Sequence, residues 1–127
     1  MMAALLLLLS TGLFAQSYHV VVSPDIPADA AALLTQRVGQ MLQAGGFSLA
    51  DDGTPITVTG AVTDRMETPG SMSQVVLQIE IKASTGTSEG VFPLKGVGAD
   101  EADAWLRAVK QFLPRSKAAQ AFLEQLK

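Results

Sequence analysis

The sequence predicts an α+β fold: a two-layer sandwich in the order β-α-β-β-β-α-α, with a mostly antiparallel four-stranded sheet and helices on one face. Three observations predict it. Val75, Leu77, Ile79 and Ile81 alternate with Gln78, Glu80 and Lys82, the period of a strand with one covered face. From Ala28 to Ala44 apolar residues recur every three or four positions, the period of a helix. After Gly98, acids crowd Asp100–Asp103 and basic residues follow at Arg107 and Lys110, the charge order that a helix dipole favours.

The chain has 127 residues, enough for one domain, expected at 16–127. Met1–Ala15 is an apolar run as long as the core of an export signal and too short to span a bilayer. Leu13-Phe14-Ala15 before Gln16 fits a cleavage position, so 1–15 is expected to be a signal peptide and the protein periplasmic or secreted. No Lys or Arg precedes the run. No cysteine follows it, so no lipid anchor is expected. The absence of cysteine also excludes disulfides, thiolate metal sites and thiol catalysis. The formal net charge of −3, with no basic block, predicts no nucleic-acid partner.

Tyr18–Ser23 is a β-branched run stopped by Pro24, and the contiguous Val20-Val21-Val22 predicts a buried strand. In the following helix Ala31, Leu34, Val38, Met41 and Leu42 form the apolar stripe, and Gly45-Gly46 ends it. Phe47–Ala50 is a short extended piece and Asp51-Asp52-Gly53 a turn. Residues 56–63 alternate, with Ile56, Val58 and Val62 covered; Gly60 shares that side, where either a helix can approach closely or the strand can bulge. Asp64–Ser73, with Thr68-Pro69-Gly70-Ser71 inside it, reads as a long connection. Strands follow at 74–83 and 89–95. Pro93 lacks a backbone donor and assigns the last strand to a sheet edge or a bulge. Gly96-Val97-Gly98 reads as a corner into a helix over 100–112, with Ala102, Trp105, Leu106 and Val109 as its stripe. A final helix over 116–126 buries Ala119, Phe122, Leu123 and Leu126.

No pattern carries reaction chemistry. His19 is the sole histidine and has no companion motif. Asp51-Asp52 lacks the further ligands of a calcium loop. Asp100, Glu101 and Asp103 are explained by helix capping. Gly45-Gly46 stands at the wrong end of its helix for phosphate and lacks the lysine. Gly86-Thr87-Ser88-Glu89-Gly90 has the Gly-x-Ser-x-Gly spacing, but it falls at a turn between two expected strands and not at the strand-to-helix turn a nucleophile needs. No catalytic, cofactor-binding or metal-binding residue is therefore expected, and no cofactor.

Thr59-Gly60-Ala61-Val62, the strand Val75–Ile81, Ser84-Thr85-Gly86, and Gly96-Val97-Gly98 leading into Glu101-Ala102 and Ala108 form a pattern similar to a broad group of bacterial envelope domains. The group includes curli-secretion-lipoprotein-like and penicillin-binding-protein-activator-like folds and related flagellar accessory domains. Val91–Leu126 more closely resembles small exported proteins of Bacteroidetes with a Lys-Gly-Val-Gly-x-x-Glu-x-x-Ala corner, here Lys95 to Ala104, before a final helix carrying Phe122. The resemblance implies a β-α-β-β-β-α layout, a periplasmic or surface location and no catalytic residues, and it carries over no functional site. The lipoprotein members have an anchoring cysteine that this chain lacks.

The expected function is that of a non-enzymatic exported envelope or secreted module, acting by protein–protein binding or self-assembly. The alternative is a small-ligand carrier binding between helices and sheet. The surfaces named for partners are the edge at Pro93, the Asp64–Ser73 connection and the sheet face of Thr57, Thr59, Gln78, Glu80 and Lys82.

Overall fold

A computed structural model of the chain describes residues 16–69 and 74–127. The order is β1 (Ser17–Val22), α1 (Ala28–Ala44), β2 (Ser48–Leu49), β3 (Thr54–Thr68), β4 (Gln74–Ser84), β5 (Glu89–Gly98), α2 (Glu101–Val109) and α3 (Lys117–Leu126). The five strands form one sheet in the order β2-β1-β3-β4-β5. β1 is parallel to both its neighbours, whereas β3, β4 and β5 form an antiparallel meander.

The fifth strand corrects the four-strand expectation. Two residues are too few to show a period, and β2 is defined by its partner instead. Ser48 N donates to Gln16 O and Ala50 N to Tyr18 O. The segment 1–15, expected to be the export signal, lies outside the described residues.

Period-two alternation on β4 holds along its length: Val75, Leu77, Ile79, Ile81 and Ala83 are all buried. α1 supplies Leu34, Val38, Met41 and Leu42 to the same core, and α3 supplies Ala119, Phe122 and Leu123. Gly46, at φ +91°, stops α1 as the glycine pair predicts, and Phe47 N closes the end by donating to Leu42 O. Pro93 lies on an edge strand, as its missing donor requires.

The contiguous valines of β1 are not all inside. Val20 and Val22 pack against the core, but Val21 is 42% exposed, because the sheet has one uncovered face.

Gly96-Val97-Gly98 is strand, not a corner. Both glycines point toward α2 from β5, paired with the inward Leu77 and Val75. A Cβ on Gly96 would overlap the Ala104 carbonyl oxygen and come within 2.7 Å of Ala108 N. One on Gly98 would meet Ala104 N at 2.5 Å. The missing side chains let the α2 backbone lie directly on the strand.

That approach also moves the helix stripe. α2 buries Ala104, Trp105, Ala108 and Val109, while Ala102 is exposed and Leu106 only half-buried. Helix-period reasoning places the larger Leu106 inside. Close contact with two glycines instead favours the alanine face, where small residues fit.

Candidate binding surface

β3 extends well beyond its expected end. It pairs with β1 only from Thr54 to Val58, and Ser23 N donates to Val58 O where β1 finishes. On its other side β3 pairs with β4 as far as Thr68, opposite Gln74. Asp64–Thr68 is therefore one arm of a long hairpin, which corrects the reading of Asp64–Ser73 as a connection. Its far part, Gly70–Ser73, lies outside the described residues. The sequence concealed the arm because its apolar alternation stops. A strand that no helix covers has no reason to alternate, and backbone pairing alone holds it.

The helical layer ends at a definite place. Trp105 lies over Gly60, where an added Cβ would come within 2.9 Å of the indole. From Ala61 to Pro69 every residue is exposed. Val62, expected to be covered, is 38% exposed because it lies past the indole. A bulge between Val62 and Asp64 bends the strand there, and Thr63 Oγ1 donates to Gln78 O.

From Thr59 to Thr68 the side of β3 away from β4 has no strand partner among the described residues. Alternate residues of such an edge direct backbone N–H and C=O groups outward, ready for another strand. The other two sheet edges are less receptive. β2 is two residues long, and β5 is interrupted by Pro93.

The uncovered sheet face is ordered in rows. Thr59, Lys82 and Val91 form one; Ala61, Glu80 and Pro93 the next; then Asp64, Gln78 and Lys95. The last row that spans three strands is apolar: Met66 (59% exposed), Val76 and Val97 (37%). The face expected to be polar thus carries an apolar row at the hairpin end. Register reveals it, since Val76 and Val97 are far apart in sequence.

On the opposite side of the arm, Arg65 pairs with the Leu77 position and Glu67 with Val75. Arg65 Nη2 and Glu67 Oε1 are 3.4 Å apart.

The acids weighed for metal serve the start of α2. Asp100 accepts from Asp103 N at 2.8 Å, and Asp103 accepts from Ala99 N at 3.0 Å and from Arg107 Nε at 3.1 Å. The Ala99 hydrogen bond, with Arg107 behind it, holds the Asp103 carboxyl below its ordinary value.

His19 is exposed on β1 opposite Pro55. It lines a groove of about 220 Å³ with Thr35, Leu49 and Asp51, and no serine lines that groove. A wider open groove of about 500 Å³ lies between α1 and the α2–α3 connection, lined by Gln40, Ala44, Leu113, Pro114, Arg115 and Ser116. It is on the outer side of the helices, not between helices and sheet. No described helix is long and apolar enough to cross a membrane.

No family model and no curated protein matches the sequence. Among solved structures, the chain is similar to a minor lipoprotein from Acinetobacter baumannii, at 11% identity and TM-score 0.47, over 90% of this chain and 93% of that one. Two structures of the PelC dodecamer from Paraburkholderia phytofirmans are also similar. One has 14% identity and TM-score 0.36, over 87% of this chain and 79% of that one. The other has 13% identity and TM-score 0.33, over 88% and 86%. Likeness at this level carries no function over to this chain.

Proposed function

We propose that the protein is a non-enzymatic protein-binding module of the cell envelope or its exterior, and that it binds by strand addition to the free edge of β3. One observation carries this reading: β3 runs past both β1 and the helical layer and leaves Thr59–Thr68 unpaired on one side. Main-chain hydrogen bonds along such an edge supply affinity, and alternating side chains supply selectivity. The export signal expected at 1–15 supplies the compartment. The small-ligand alternative needs a cavity between helices and sheet, whereas the groove beside Leu113 lies on the outer side of the helices, is open to solvent and holds few converging polar groups.

A photo-crosslinking residue in place of Met66, compared with one in place of Gln43 on α1, tests the reading in the native cell. Adducts should form from position 66 and not from 43. In the purified complex, amide exchange should slow within Thr59–Thr68. An absence of adducts from position 66, or adducts without slowed exchange, overturns it.

A further inference from the structure

We infer that the strand received by the β3 edge is β3 of a second copy of this chain, paired antiparallel about a two-fold axis through Met66. This deepens the strand-addition reading and rests on it.

The charge order along the arm carries the inference. Asp64-Arg65-Met66-Glu67-Thr68 has opposite charges placed symmetrically about Met66. Residues directly opposite one another across an antiparallel ladder share a face, with Cβ atoms about 4.5–5.5 Å apart. Centred on Met66, the pairing sets Arg65 of each copy against Glu67 of the other, so two ion pairs form. Asp64 then faces Thr68. Centring the pair on Asp64, Arg65 or Glu67 instead places that charge against its own copy, which is destabilising. Of these registers, Met66 alone makes the arm complementary to itself, as a two-fold interface must be.

The open face gives a second, independent reason. Met66 belongs to the row Met66–Val76–Val97. An axis perpendicular to the sheet brings the Met66 side chains together and joins the two rows into one apolar band across both copies. Both helical layers then lie on the same side of a continuous sheet. Arg65 and Glu67, on the helix-bearing side, already lie close enough for their charges to meet within one chain, at 3.4 Å. A second copy exchanges these partners and introduces no new unpaired charge.

The test uses charge reversal in the full chain, read by light scattering over a concentration series. Arg65→Glu alone sets the introduced carboxylate against Glu67 of the other copy. Glu67→Arg alone sets the introduced guanidinium against Arg65 of the other copy. Each should weaken the dimer by roughly ten-fold or more, the effect of like charges directly opposite. Mixing the two single variants restores both opposite-charge pairs and should return dimer to near the wild-type level. The double variant Arg65→Glu/Glu67→Arg should do so on its own. Association through the first fifteen residues would not follow this pattern, so it cannot imitate the result. A monomeric wild type at all concentrations overturns the inference, as does a dimer indifferent to the single reversals, or single variants that fail to associate on mixing. If it is overturned while position 66 still crosslinks to another protein with slowed exchange, strand addition stands with a different partner. If neither association nor crosslinking occurs, both readings fall.

Discussion

β5 and the far half of β3 flank the same central strand and show opposite designs. β5 is closed on its inner side: α2 lies on Gly96 and Gly98, and Phe122 of α3 lies on Gly90. Its free edge is interrupted by Pro93. The far half of β3 has no helix over it, no strand partner on the side away from β4 among the described residues, and no proline between Thr59 and Thr68. Strand edges are sites of unwanted pairing unless they are blunted. One edge here is blunted and the other is left long and charged, which is the arrangement expected if pairing is wanted on one side only.

Substitutions sharpen this contrast. The largest effect is expected at the packed side: Gly96→Ala should cost about 3 kcal/mol or more in urea unfolding, because the added carbon meets α2 backbone that cannot rotate away. Met66→Ala, on the bare side, should stay within about 0.5 kcal/mol in the same assay at concentrations where the chain is monomeric, since its side chain is then 59% exposed. Equal losses at the two positions would remove the distinction. Gly60→Ala, at the boundary, should fall between them at about 1–2 kcal/mol, because the clash is with the Trp105 and Ile81 side chains, which can shift. Tryptophan fluorescence should report that shift, and an unchanged spectrum with unchanged stability would mean that Trp105 does not close the helical layer there. Asp100→Ala should cost about 1 kcal/mol by loss of the cap to Asp103 N, measured by the same unfolding curves.

The smallest effect concerns pH. The Ala99 hydrogen bond and Arg107 lower the Asp103 pKa in the folded state, from an ordinary value of 3.8. A depressed carboxyl stabilises the fold above its unfolded pKa, and that stabilisation is lost as pH falls through the folded value. The stability difference between wild type and Asp103→Asn should therefore be present at neutral pH and shrink below about pH 4. A difference that does not change with pH would mean that the carboxylate charge adds nothing at this helix start.

Much of the fold was legible locally. β4, all three described helices, the glycine stop of α1 and the caps of α2 follow from period and terminal chemistry, which act over a few residues. The candidate surface was less legible. Pro93 pointed correctly to an edge, but the edge left available is on β3, where the sequence reading ended the strand at 63. The row Met66–Val76–Val97 comes from three strands and exists only through their register.

By itself, the sequence determined the helices, β4 and the near parts of β3 and β5, and which face of β4 is apolar, because side-chain periodicity encodes burial within each element. It also set the charge order about Met66 and the missing donor at Pro93. The tertiary structure decided where that burial stops. Pairing with β4 carries β3 past the end of β1, Trp105 ends the helical layer over Gly60, and two glycines read locally as a corner become the bed of α2. Such outcomes depend on contacts between distant segments, and only the assembled sheet brings those segments together.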